Sequence, residues 1–382
     1  MAKVAVIGGG PAGLLAAREI CRRELNVHVF EEDSEIGLPE RCGGLLSLKG
    51  LSMISAPKPM KYVLNLIRGA TFHSPSGYEF KLDAKRWVAA VISRKRFDRM
   101  LSEEVEEMGG EISCGVRVRD VRRIGNNFDL NLGEKRFSAD WIIDAEGMSS
   151  HLMKKILGNS PDKRRWIPIV QLTVKGHGLD PEFVHLYFKE YLPDFFAYLI
   201  PLNEEIGRLG VATKLKGLEP RMRKFISEEF PRIKVLKKIS YVIYVGRPTW
   251  TELNERFIPV GDAAGHVKAT TGGGVVMGGL ISINMASALS ELELGNDPNS
   301  YVREARRIYR ELVQIFHLRR FIENISMRLY DKIFKLAEDA SIGDDLRRLG
   351  DMDFQATSLK RIVYSPKRVV KLISSVLGNF LK

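Results

Sequence analysis

The sequence predicts an α/β fold in which a Rossmann-like three-layer unit is joined to a smaller α+β part with an antiparallel sheet, followed by helices. Three observations carry this reading. A glycine-rich turn follows an apolar strand at the N-terminus and opens a helix, the middle of the chain is rich in strand formers, and from Asn299 onward the sequence turns helical and basic. At 382 residues the chain is long for one core, so two or three domains or subdomains are expected.

Residues 4–7 read as an apolar strand, 11–23 as a helix and 27–31 as a second strand, which together make a βαβ unit. Phe97, Met100, Leu101, Val105 and Met108 recur at helical spacing. Strand-like segments follow at 112–121, 127–132 and 141–145. From 167 to 246 the chain reads FVHLYF, FFAYLIPL and YVIYVG, a separate sheet with one helix at 221–230. Residues 1–166 and 247–298 are thus expected to form one discontinuous nucleotide-binding domain with a substrate-side insertion near 48–90. Residues 167–246 would form a substrate-binding sheet domain, and 299–382 a helical region. Residues 269–290 are free of charge and long enough to cross a bilayer, yet their five glycines and Ser282, Asn284 and Ser287 fit a buried helix better.

Cys21, Cys42 and Cys114 form no CxxC pair and have no histidine cluster beside them, so neither a disulfide nor a metal site is expected. With no signal-peptide pattern in MAKVAVIGGG, a reducing cytosol is the expected setting. The formal charge of +12 points to an anionic partner, a phosphorylated ligand or a membrane surface. No basic run carries interleaved aromatics, so no nucleic-acid partner is expected.

The chemistry begins at Gly8, Gly10 and Gly13, a GxGxxG between strand and helix. Such glycines permit a tight turn and let backbone approach a pyrophosphate at a helix N-terminus. Glu31, closing VHVFE, supplies a carboxylate for ribose hydroxyls. Far downstream, RFIPVGDAAGHVKATTGGG places Asp262 where it would hold a ribityl hydroxyl and glycines where backbone would approach an isoalloxazine ring. A second nucleotide fingerprint is missing, which leaves the electron donor as transient NAD(P)H or a protein carrier.

These motifs resemble the FAD-dependent reductases and monooxygenases built on the glutathione-reductase or aromatic-hydroxylase fold. ISRKRFDRML puts Arg94 where such proteins carry an arginine for the FAD phosphates, and WIIDAEGMSS is similar to their DG motif, with Asp144 and Gly147. Within that group, GLPERCGGLLS and GDAAGHVKATTGGGV resemble the geranylgeranyl reductases, specifically the archaeal digeranylgeranylglycerophospholipid reductases, over roughly residues 1–290. The resemblance implies FAD contacts at Arg41, Cys42 and Gly43, and also at Ala12, Val118, Gly273, Gly274 and Val275.

PDFFAYLIP, residues 193–201, is similar to the PxxYxWxFP motif of those reductases, with both prolines kept and Phe196, Tyr198 and Ile200 at the inner positions. Alternation would turn these three to one face of a strand, as an apolar wall for a hydrocarbon chain. The halogenase motif WxWxIP keeps only Ile200 and Pro201 here. The resemblance therefore implies a reductase in which reduced FAD gives hydride to a C=C bond of an isoprenoid lipid, a phosphorylated one by the charge balance. Cys42 and Tyr198 are the candidate proton sources, Cys42 with a thiol pKa lowered by Arg41. The alternatives are a monooxygenase or halogenase on the same fold, and a flavoprotein that only carries electrons. In the tail, Val369, Leu372, Ile373, Val376 and Phe380 share a helical face bordered by Lys367, Arg368 and Lys371, suited to a peripheral membrane contact or to packing on the fold.

Overall fold

The computed structural model describes residues 2–338 and 340–363. The amphipathic stretch from Val369 onward lies outside the described residues. The N-terminal half contains β1 (Lys3–Ile7), α1 (Pro11–Arg22), β2 (Asn26–Phe30), β3 (Leu45–Ser47), α2 (Leu48–Met53), β4 (Val63–Ile67), β5 (Gly69–His73) and β6 (Glu79–Asp83). It continues through β7 (Ala89–Ile92), α3 (Arg94–Glu107), β8 (Glu111–Ser113), β9 (Asp120–Ile124), β10 (Asn127–Asn131), β11 (Arg136–Ala139), β12 (Trp141–Asp144) and α4 (His151–Leu157). Then come β13 (Trp166–Lys175), β14 (Phe183–Tyr187), β15 (Ala197–Pro201), β16 (Ile206–Ala212), α5 (Leu218–Glu229), β17 (Lys234–Tyr244) and β18 (Phe257–Pro259). Five helices close the described chain: α6 (Val275–Glu293), α7 (Asn299–Glu323), α8 (Tyr330–Glu338), α9 (Ala340–Leu349) and α10 (Gln355–Val363).

A parallel sheet in the order β18-β12-β1-β2-β8 forms the centre of the first unit. Alternation along β1 divides its two faces. Val4 and Val6 pack against α1, α3, α6 and α7, whereas Ala5 and Ile7 pack against α4 and the antiparallel meander β11-β10-β9. Helices, parallel sheet and meander are the three layers. Helix α6 is the one described helix long and apolar enough to cross a membrane, but 78% of that stretch is buried inside the fold. It is a core helix, and Gly279 lets it approach α1: a Cβ there would stand 2.6 Å from Leu15 Cδ1.

The second sheet runs β17-β13-β16-β15-β14-β5-β6 and is antiparallel except at β14–β5. It recruits two strands from residues 69–83, so it is not confined to 167–246. One face packs on α5. The other meets the small sheet β3-β7-β4 that follows the RCGG stretch.

Local sequence explains most boundaries. Phe97, Leu101 and Val105 are the buried face of α3, while Met108 falls on the C-cap and is exposed. The strand expected over 112–121 is two short strands instead. Gly115, at φ +70°, turns the chain, and the Val116 N–H then donates to the Glu31 carbonyl at 2.8 Å.

Candidate active site

Strand β1 delivers the chain to Gly8, whose φ of +105° only glycine adopts easily; a Cβ would stand 2.2 Å from the Ala145 oxygen. Gly13 is equally constrained, with a Cβ position 2.1 Å from the Gly8 oxygen. Gly10 differs: nothing lies within 4 Å of its Cβ position, so open space covers the N-terminus of α1. Pro11 opens that helix, and Ala12 and Gly13 follow in its first turn, where N–H groups have no intrahelical partner. The carboxylate of Glu31, at the end of β2, accepts from the Gly9 N–H at 2.6 Å and from the Asp33 N–H at 2.8 Å. A cleft of about 170 Å³ opens here, lined by Gly10, Glu31, Glu40, Arg41, Arg94 and Asp98 among others. An open helix N-terminus beside the Glu31 carboxylate fits a dinucleotide.

Arg94 begins α3 after the Ser93 N-cap and forms a two-point ion pair with Asp98, Nε to Oδ1 at 3.0 Å and a terminal nitrogen to Oδ2 at 2.7 Å. Burial alone would pull the guanidinium down, but Asp98 and then Cys42 outweigh it and raise Arg94 above its usual range. The same charge acts on Asp262. Arg94 therefore stands within electrostatic reach of both Cys42 and Asp262. Arg41 is exposed on the cleft rim.

The RCGG loop is bolted down from the second sheet by Arg208 of β16. This buried guanidinium donates to the Gly43 carbonyl at 3.1 Å, the Ile92 carbonyl at 3.0 Å and Glu40 Oε1 at 3.0 Å. Glu40 Oε1 also accepts from the Arg94 N–H at 2.7 Å. Gln171 of β13 donates to the Cys42 carbonyl at 3.2 Å, while its Oε1 accepts from Tyr198 at 2.7 Å and Tyr241 at 3.0 Å. Burial pushes both phenols up, so they stay protonated. The Cys42 sulfur accepts from the Gly44 N–H at 3.3 Å.

Strand register explains how distant residues converge. Gln171, Gly210, Tyr198, Leu186, Phe72 and Phe80 are direct neighbours across six strands. Gly210 carries no side chain, and a Cβ there would stand 2.2 Å from Tyr198 Cζ. The Tyr198 ring thus lies over Gly210 and reaches Gln171. Ile200 shares that face and touches the Cβ position of Gly43 at 3.1 Å. Phe196 precedes β15 but packs in the same cluster, with its ring 4.3 Å from Phe195 and 5.9 Å from Phe188.

Gly261, Asp262 and the loop 272–274 lead into α6. Gly261, at φ +62°, holds the turn against Ala12, and Gly274 would place a Cβ 3.2 Å from Asp262 Oδ1. Asp262 is exposed, and Gly273, Gly274 and Val275 are half-buried. Val118 is buried with Ile7 and Phe30 in the core beneath the meander, away from the cleft lining. Asp144 is wholly buried beyond β1, with Oδ2 unpartnered, and burial pushes its carboxyl well up. Sequence reasoning missed Glu40, Asp98, Gln171, Arg208 and Tyr241. Only Asp98, four residues after Arg94 on one helix, had a local signal.

Residues 1–233 match the FAD binding domain family. Among similar proteins, the digeranylgeranylglycerophospholipid reductase of Methanothrix thermoacetophila is 26% identical over 288 residues, covering 72% of this chain and 73% of its own. That of Methanocaldococcus jannaschii is 24% identical and covers 98% of each. A solved geranylgeranyl bacteriochlorophyll reductase-like protein from Thermoplasma acidophilum superposes with a TM-score of 0.83 at 20% identity, covering 98% of both chains. That last likeness shows the fold.

Proposed function

The chain belongs to the FAD binding domain family, and on that premise we propose that it is an FAD-dependent reductase saturating C=C bonds in the geranylgeranyl chains of archaeal-type lipid precursors. The observation that carries the substrate side is the row from Tyr198 through Leu186 and Phe72 to Phe80, roofed by Phe334 of α8 at 6.0 Å from Phe72 and 6.4 Å from Phe80. Three strand spacings of ~4.8 Å make this apolar row roughly 14 Å long. Phe188 extends it beside Phe196, with Tyr330 at 4.9 Å and Phe334 at 5.7 Å. One end meets the RCGG loop, so a long apolar chain held there would present a double bond beside the cofactor site. The reductase names of the relatives support the same substrate class.

FAD supplies the hydride when bound. We assign its pyrophosphate to the α1 N-terminus with Arg94, its ribose to Glu31, and its ring side to Cys42, Gly43, Asp262 and loop 272–274. An isolated alkene has no carbonyl to carry negative charge, so the accompanying proton must reach one alkene carbon as positive charge grows on the other. Tyr198 donates its proton to Gln171 and has a raised pKa, which makes it a poor acid. Its task is to hold Gln171, which in turn holds the Cys42 carbonyl. Cys42, beside Arg94, is the better candidate to deliver the proton. NAD(P)H or a protein carrier returns the electrons, and a phosphorylated head group suits the basic balance of the chain.

The test is anaerobic: the holoprotein, its flavin reduced, is mixed with digeranylgeranylglyceryl phosphate. Flavin reoxidation by the lipid supports the reading. Reoxidation only by oxygen returns the protein to the monooxygenase or electron-carrier alternatives.

A further inference from the structure

The loop Lys268–Gly274 is tied from behind by a buried ion pair. Lys268 Nζ donates to Asp353 Oδ1 at 2.7 Å and to the Met352 carbonyl at 2.9 Å, and the two side chains are 11% and 4% exposed. The other Asp353 oxygen accepts from Ser47 Oγ, at the end of β3, three residues after Gly44. Lys268 also organises the glycine loop through its backbone. Its N–H donates to the Gly273 carbonyl at 3.0 Å, and its own carbonyl accepts from the Gly272 N–H at 2.8 Å. Its Cε stands 3.1 Å from the Cβ position of Gly273, so the side chain runs along the back of that glycine.

The segment supplying Asp353 is itself anchored. Glu311 of α7 accepts from the Ala356 N–H at 2.7 Å and the Thr357 N–H at 3.1 Å. Met352 packs on the cluster that contains Tyr198 and Ile200. One carboxylate therefore joins three distant stretches: the glycine loop, the strand leaving RCGG, and the chain before α10. A buried ion pair adds little net stability over packed apolar side chains, so its distinctive contribution is fixed geometry.

We infer that Lys268 and Asp353 are positioning residues that set the spacing between the RCGG loop and the glycine loop, and through it the grip on FAD and the redox properties of its ring. This rests on the FAD site assigned above. The test uses full-length holoprotein carrying Asp353→Asn, Lys268→Met, Lys268→Arg or Ser47→Ala, with fold checked by circular dichroism. FAD affinity is read by fluorescence titration and the flavin midpoint potential by anaerobic dye equilibration. Expected are a weakening of FAD at least tenfold and a shifted potential and visible spectrum for Asp353→Asn and Lys268→Met, with partial rescue in Lys268→Arg. If Asp353→Asn does not fold, Ser47→Ala, which removes one hydroxyl, decides: about threefold weaker FAD with a shifted spectrum supports the inference. Folded variants with the affinity and potential of the parent overturn it. A parent chain that binds no FAD overturns the site assignment itself.

Discussion

Arg208→Met removes the bolt that joins the second sheet to the RCGG loop. Its side chain is 7% exposed, and the substitution leaves the Gly43 and Ile92 carbonyls without this donor and Glu40 without its cationic partner. Breaking one side of a buried pair costs about 3–5 kcal/mol, and the two stranded carbonyls make the upper half of that range the expectation. Glu40 keeps the Arg94 N–H, so the loop should loosen without detaching. Chemical denaturation of the parent and variant, followed by fluorescence titration with FAD, measures both effects. Pairing Arg208→Met with Glu40→Gln gives a coupling energy of about 0.5–3 kcal/mol if the two side chains act as a unit. A variant within about 0.5 kcal/mol of the parent, with unchanged FAD affinity, would refute the assignment of Arg208 as the loop's anchor.

Gly13→Ala drives a methyl against the Gly8 oxygen, and the purified variant should lack flavin absorbance; a yellow variant contradicts the turn geometry. Phe188→Ala opens the aromatic row and should raise the KM for the long-chain lipid about tenfold, roughly the loss of a 1.4 kcal/mol contact, while FAD affinity stays put. Tyr198→Phe should lower kcat by less than tenfold and Cys42→Ala by more than a hundredfold; the reverse order would make Tyr198 the proton source. Buried His185 and His266 are lowered by burial from 6.5 to about 4, so both are neutral in the fold at pH 7. Between pH 6.5 and 4 these two residues bind more protons in the unfolded chain than in the fold, so their contribution to stability falls as pH is lowered through that window, by about 3 kcal/mol per histidine. The change in denaturant midpoint from pH 7 to pH 5 should become less destabilising in a His266→Gln variant; the same change in parent and variant would contradict this.

The nucleotide turn was legible because its physics is local: an apolar strand, glycines at a turn and a helix start occupy the ten consecutive residues 4–13. The α6 core helix was legible for the same reason, from glycines and small polar residues in a charge-free stretch. Tyr198 and Ile200 do share a face, since alternation is also a local property. Gln171, Arg208 and Tyr241 were not legible. Each lies on a strand that reads as ordinary core, and only the registers of β13, β15 and β16 bring Gln171 beside Tyr198 across Gly210. Strand pairing of β14 with β5 was hidden too, because residues 69–73 lie more than a hundred positions upstream of their partner. Arg94, singled out by its position, does line the cleft, but its bond to Asp98 needed the fold.

Mass spectrometry of digeranylgeranylglyceryl phosphate after anaerobic incubation with the chemically reduced holoprotein tests the central claim most directly. A ladder of products, each heavier by about two mass units for one hydride and one proton added, is the predicted result. In heavy water each step should add two deuterium atoms, one from the proton donor and one from the flavin N5 position, which exchanges with solvent. An unchanged lipid mass, with FAD bound and reduced, would contradict the account.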